Sequence, residues 1–133
     1  MAEGWLRALA PDSILALSAG TNPQTVNPGA VRAMAARGVD ISKQRSKSID
    51  EFINDPPELV ISVCGAAKDA CPTFPGDVAK LHWPFDDPAD ATGSEAEVAA
   101  VFERVRDEIH TRIEAWLTAG APIEGLRRNA ADP

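Results

Sequence analysis

Tyrosine is absent from the 133 residues, aromatics make up only 5% of them, and there are just two cysteines and two histidines. The histidines, His82 and His110, have no thiol or carboxylate at metal-ligand spacing, so no zinc site is expected. Lys and Arg form no run, and 13 of them against 20 Asp and Glu give a formal charge of −7. That balance argues against a nucleic-acid or anionic-membrane surface, while leaving room for a small local anion site. The longest uncharged apolar stretch, around Leu59 to Ala67, falls far short of the roughly 20 residues of a membrane span. The opening residues lack a basic segment followed by an apolar one, so no secretory signal is read and the cytoplasm is the expected compartment. In a reducing compartment Cys64 and Cys71 are expected as thiols or small core residues rather than a structural disulfide.

What remains is the composition of one globular domain, 44% hydrophobic and 25% charged, long enough to bury a core without staples. No repeat or linker divides it. The domain is expected over residues 1–120, with a loose tail over 121–133.

Ala2, Trp5, Leu6 and Leu9 share one helical face, with Glu3 and Arg7 spaced i,i+4. No Ser, Thr, Asp or Asn precedes this helix to cap it. Ile14 to Leu17 is a short apolar run ending at Ser18-Ala19-Gly20, which predicts a short, central, buried parallel strand. Asn27-Pro28 supplies a cap and a first-turn proline; Val31, Met34 and Ala35 make an apolar face, and Gly38 closes this second helix. Ser48-Ile49-Asp50-Glu51 has the capping-box pattern and opens a short helix that must stop before Pro56-Pro57. Leu59 to Val63 is nearly continuous in apolar residues, as in a strand covered on both faces. Val78 to Trp83 predicts a further strand, followed by a rigid turn from Pro84 to Pro88. Ser94 with Glu97 opens a long helix whose apolar face carries Val98, Val101, Phe102, Val105, Ile109, Ile113 and Trp116 and which ends before Gly120. Strands alternating with helices predict a parallel α/β sheet, yet only three strands can be read and the pattern begins with a helix, as though a strand were wanting at the front.

In such sheets ligands sit at the carboxyl ends of the strands. Ser18, Cys64 and the Asp86-Asp87-Pro88 turn all fall there. Cys64 and Cys71 are either two small buried hydrophobes or a thiol pair brought together by a loop folding back at Gly65, and spacing does not choose between these. Asp87, held extended by the following proline, is either an ordinary turn residue or a general acid, with Asp86 beside it favouring the protonated form. Lys43, Arg45 and Lys47 read as a solvated basic loop, with anion binding as the sharper alternative.

Several strings go further. Met1-Ala2-Glu3-Gly4-Trp5, Ser18-Ala19-Gly20-Thr21, Val26-Asn27-Pro28, Asp40-Ile41-Ser42, Arg45-Ser46-Lys47-Ser48, the Cys64 to Cys71 segment with Pro72, His82-Trp83-Pro84-Phe85-Asp86-Asp87-Pro88 and Arg104 to Ile109 occur in one order between Met1 and about Trp116. Together they resemble the thioredoxin-coupled arsenate reductases, which have the low-molecular-weight tyrosine phosphatase fold. The resemblance implies a three-layer αβα domain around a four-stranded parallel sheet. It also implies a relay of three thiols. A nucleophilic cysteine in an N-terminal Cys-(x)5-Arg phosphate loop attacks arsenate, an aspartate protonates the departing oxygen, and a second cysteine attacks the first to release arsenite. A third captures the second, and thioredoxin reduces the resulting disulfide. By position Cys64 resembles the second thiol, Cys71 the third and Asp87 the acid. No bound cofactor is implied, thioredoxin is the external reductant, and a monomer is expected.

The sequence departs from the family pattern in two places. The string resembling Met1 to Trp5 follows the phosphate loop in the family, and neither cysteine here has an arginine six residues on, Ala70 and Asp77 standing in those positions. The first strand and phosphate loop are therefore expected to lie outside these residues, the chain as it stands is expected to be unable to reduce arsenate, and a start assigned at an internal methionine is the expected explanation. Some relatives bind potassium with a glutamate, a serine and an aspartate. Glu3 and Ser18 match the first two, while Lys47 replaces the aspartate, so its ammonium is expected to supply that charge and no metal is assigned. Two rival readings keep the fold: a low-molecular-weight tyrosine phosphatase, against which the cysteine pair and the lack of tyrosine argue, and a non-catalytic remnant, against which intact Cys64, Cys71 and Asp87 argue.

Overall fold

The computed structural model describes residues 1–10, 14–19, 26–44, 47–63 and 78–120. Three α-helices and a parallel strand pair form the frame: α1 (Ala2–Leu9), α2 (Pro28–Ala35), β1 (Leu59–Ser62), β2 (Ala79–His82) and α3 (Glu95–Thr118), with 3-10 turns at Ile49–Phe52 and Pro88–Asp90. β1 and β2 pair in register from Leu59 opposite Ala79 to Ser62 opposite His82.

The caps form where the sequence placed them. Asn27 accepts a hydrogen bond from the Gly29 amide at 2.8 Å. Ser94 and Glu97 close a capping box, the Glu97 amide donating to Ser94 Oγ at 3.1 Å. α1 begins without a side-chain cap. At Ser48 the hydroxyl accepts from the Asp50 amide at 3.2 Å, which opens one 3-10 turn rather than the capping box expected there. Gly38 and Gly120, at φ of 78° and 94°, end α2 and α3 in the left-handed region that glycine enters without strain.

α1 and α2 both pack on α3. Trp5, Met34, Ile41, Trp83, Phe102 and Val105 lie in one buried cluster. On α2 the buried face is Ala30, Ala33 and Met34, while Ala35, expected to be inside, is exposed. Small residues there let α3 approach closely: a Cβ on Gly29 would stand 2.7 Å from the Phe102 ring. Arg106 crosses the same interface, its guanidinium donating to the Ala33 carbonyl at 2.9 Å. The Trp5 indole donates to the Arg106 carbonyl at 3.0 Å and ties α1 to α3.

One expected element is corrected. Ile14 to Leu17 forms no strand, and only Ala16 is buried, while Leu15 is 79% and Leu17 41% exposed. A strand exists only through the hydrogen bonds of a neighbour, and among the described residues no strand pairs with this segment. β1 is correspondingly half-buried along its whole length, not covered on both faces as expected.

Candidate functional site

Because β1 and β2 are parallel, Val63 and Trp83 leave the sheet at one end, and the chain turns there through Pro84 to Pro88. At this end Ser62 Oγ lies 2.7 Å from His82 Nδ1. The pair follows from the register, which puts the two residues opposite each other, and it was not legible until that register was known.

Asp87 is exposed and caps the Pro88–Asp90 turn, its carboxylate accepting from the Ala89 amide at 2.9 Å. The Asp86 carboxylate pairs with Arg104 of α3 at 3.1 Å, so the like-charge neighbour expected to favour a protonated Asp87 is engaged by a cation. The Asp87 carboxylate is fixed in place by its own backbone, with one oxygen bonded and the side chain open to solvent.

The second cluster is built on α1. Glu3 sits in the first turn with its side chain 2% exposed, and three groups converge on it. Ser18 donates its hydroxyl to Glu3 Oε1. Lys47 Nζ, itself 11% exposed, lies 3.4 Å from the same oxygen, and the Arg7 guanidinium lies 3.3 Å from Oε2. A buried carboxylate needs this much compensation. Glu3 and Ser18 are thus brought together as the sequence led one to expect, and Lys47 is beside them. The arrangement does not fit a monovalent cation, because the lysine ammonium already stands against the one oxygen that Glu3 shares with Ser18.

Cys64 and Cys71 fall outside the described residues, as does Arg45. Val63, which precedes Cys64 in the sequence, follows β1 at the same end of the sheet as the Asp86-Asp87 turn. His110 packs edge-on against Trp5 with ring centroids 4.5 Å apart. Arg106, which sequence reasoning did not single out, has its guanidinium bonded to Asp107 at 2.8 Å as well as to α2. The hydrogen bond to Asp107 raises the Arg106 pKa, and the same bond foremost holds the Asp107 carboxyl below its usual value.

An open pocket is lined by residues 15–19, Leu59, Ile61 and Val63 together with Leu6, Ile109, Ile113 and Trp116. The Trp116 indole nitrogen is buried and has no hydrogen-bond partner among the described residues. No helix is long and apolar enough to cross a membrane among the described residues.

A parallel strand pair with helices packed around it defines an α/β protein. Residues 1–130 match the family described as low molecular weight phosphotyrosine protein phosphatase, and the chain belongs to that family. It is 46% identical over 120 residues to an arsenate reductase of Bacillus subtilis, covering 90% of this chain and 86% of that one. It is 48% identical over the same length to an arsenate reductase of Bacillus licheniformis. Among solved structures it resembles an arsenate reductase in its reduced state, with a TM-score of 0.69 and 29% identity over 89% of this chain and 86% of that chain. An arsenate reductase in its oxidized state is similar too, with a TM-score of 0.68 and 28% identity over 98% of this chain and 87% of the other.

Proposed function

We propose that the chain is an arsenate reductase polypeptide working by a cysteine relay, with thioredoxin as the external reductant and arsenate as the oxyanion substrate. The observation that carries this reading is the 46–48% identity, over nine-tenths of the chain, to proteins named arsenate reductase. The position of Asp87 supports it, since the turn after β2 presents a carboxylate at the same end of the sheet from which the chain runs on to Cys64.

In this reading a nucleophilic thiolate displaces an oxygen of arsenate, and Asp87 gives that oxygen its proton so that it leaves as water. The Cys64 thiolate then attacks the sulfur of the arsenic adduct. A disulfide forms, and the electron pair of the sulfur–arsenic bond stays on arsenic, which leaves as arsenite. Cys71 attacks Cys64, frees the first thiol and closes a Cys64–Cys71 disulfide. The dithiol of thioredoxin takes up the oxidation. Lys47 neutralises Glu3 in place of a bound potassium ion.

The nucleophile needs a loop of amides and an arginine around the oxyanion. Cys64 and Cys71 have Ala70 and Asp77 where that arginine would stand, so the 133 residues alone do not turn arsenate over. The test is thioredoxin-coupled turnover of arsenate, with an aryl phosphate as rival substrate. It compares the chain alone with the chain preceded by an apolar strand and a Cys-(x)5-Arg loop. The extended chain reduces arsenate and the unextended one does not. Hydrolysis of the aryl phosphate without arsenate reduction would instead establish a phosphatase.

A further inference from the structure

The turn that carries Asp87 is held from outside by α3. Pro84 and Pro88 stiffen the turn, and the bond from the Ala89 amide to the Asp87 carboxylate joins two of its own residues at 2.9 Å. That bond fixes the carboxylate relative to the turn and not relative to the sheet. What places the turn is its attachment to the rest of the domain. At one end the Trp83 amide donates to the Ser62 carbonyl at 2.8 Å, and the Arg112 guanidinium lies over the Trp83 ring, 5.3 Å from its centroid. Phe85 then packs against the core cluster. At the other end Arg104 Nη2 lies 3.1 Å from Asp86 Oδ2, one residue before Asp87. Arg104 is itself aimed by Glu108, whose Oε1 accepts from its Nη1 at 2.7 Å. Arg104, Glu108 and Arg112 follow one another at intervals of four along α3 and so form one stripe of that helix.

We infer that Arg104 and Arg112 are positioning residues for the proton donor: two guanidinium groups on one stripe of α3 clamp the segment from Trp83 to Asp86 and so set where the Asp87 carboxyl stands at the end of the sheet. The inference rests on the role of Asp87 as the acid in the proposed relay. An arginine serving the oxyanion would keep its fork free, whereas that of Arg104 is divided between Asp86 and Glu108. A pair that only supported the helix would stop at Glu108, whereas the bond to Asp86 spans 18 residues of sequence and ties the helix to the turn. An exposed ion pair and an exposed cation–π contact each favour the bound arrangement about two- to fivefold. That is little for the folding of a domain and enough to decide the population of one turn. An acid must stand within hydrogen-bond reach of the oxygen it protonates, so the fraction of correctly placed turns multiplies kcat and leaves substrate binding alone.

The test compares the wild type with Arg104→Met, Arg112→Met, the double variant and Arg104→Lys, all substitutions at exposed positions. In the 133-residue chain, without arsenate, amide exchange at Ala89 speeds up about two- to fivefold in Arg104→Met while the amides of the β1–β2 ladder keep their rates. In the chain preceded by a Cys-(x)5-Arg loop, kcat for arsenate falls about two- to fivefold in each single variant and about tenfold in the double variant, with KM unchanged. Arg104→Lys recovers most of the loss, which a role in packing alone would not produce. A rise in KM at constant kcat would make the arginines ligands of the oxyanion and overturn the inference. So would unchanged exchange at Ala89, equal acceleration throughout the ladder, or faster exchange at Ala89 with kcat unmoved. Failure of the extended wild type to reduce arsenate contradicts the proposed function instead, and exchange at Ala89 then decides by itself whether the two arginines hold the turn.

Discussion

Lys47 holds its ammonium 3.4 Å from a carboxylate oxygen of Glu3 whose side chain is 2% exposed, joining the loop before β1 to the first turn of α1. Removing one partner of a buried pair leaves an uncompensated charge at a cost of about 3–5 kcal/mol. Arg7 remains 3.3 Å from the other oxygen, so Lys47→Met is expected at the low end of that range. Urea unfolding measures it, and a loss below about 0.5 kcal/mol would place the pair among surface contacts.

The same cluster predicts an ion effect. Lys47→Asp replaces the ammonium with a carboxylate beside Glu3 and Ser18, an oxygen set suited to a small cation. The variant is expected to melt higher in potassium chloride than in choline chloride at equal ionic strength, while the wild type is indifferent. A variant that gains no potassium dependence contradicts the role given to Lys47.

Asp107 carries a pH dependence. Its carboxyl is held below the ordinary 3.8, first by the hydrogen bond from Arg106 and then by the charges of Arg106, Arg37 and His110. A depressed folded-state pKa contributes stability that is fully present above the unfolded value and is lost as pH falls through the folded one. Stability therefore falls below about pH 4, and Asp107→Asn flattens that fall. Asp107 is half exposed, so solvent screening keeps the effect small. Unfolding midpoints between about pH 5 and pH 2 in the two proteins check it.

Gly29 of α2 lies against the Phe102 ring of α3. A Cβ there would meet three carbons of the Phe102 ring at 2.7–3.0 Å. Gly29→Ala is expected to cost about 1–3 kcal/mol through overpacking, even though alanine is the better helix former. A neutral or stabilising result would show that the ring moves aside freely.

These contacts differ in how far the sequence announces them. Asn27, Ser94 and Glu97 were legible because caps are local: the bonded groups lie two or three residues apart, and the residue types are the signal. The face of α3 was legible because its apolar period is sustained from Val98 to Trp116, about five turns. Ile14 to Leu17 misled for the opposite reason, since its apolar run is a strand's but its pairing depends on what lies alongside, which no local pattern encodes. Arg106 was illegible because arginine is ordinarily solvated, and its burial follows from a carbonyl on α2 that lies 73 residues away in sequence. Ser62 and His82 needed the register. Asp87 was located correctly at the strand ends, and the structure adds its bond to the Ala89 amide and the capture of Asp86 by Arg104. The roles of Cys64, Cys71 and Asp87 came from resemblance, because two thiols at that spacing are compatible with core residues and with chemistry alike.

The cysteine relay is the central claim, and one turnover tests it. The chain preceded by a Cys-(x)5-Arg loop is fully reduced, mixed with one equivalent of arsenate in the absence of thioredoxin, quenched with an alkylating agent and digested for peptide mass analysis. The account predicts one equivalent of arsenite and a disulfide between Cys64 and Cys71, which added thioredoxin then opens. Arsenite formed while Cys64 and Cys71 are both recovered alkylated would contradict it.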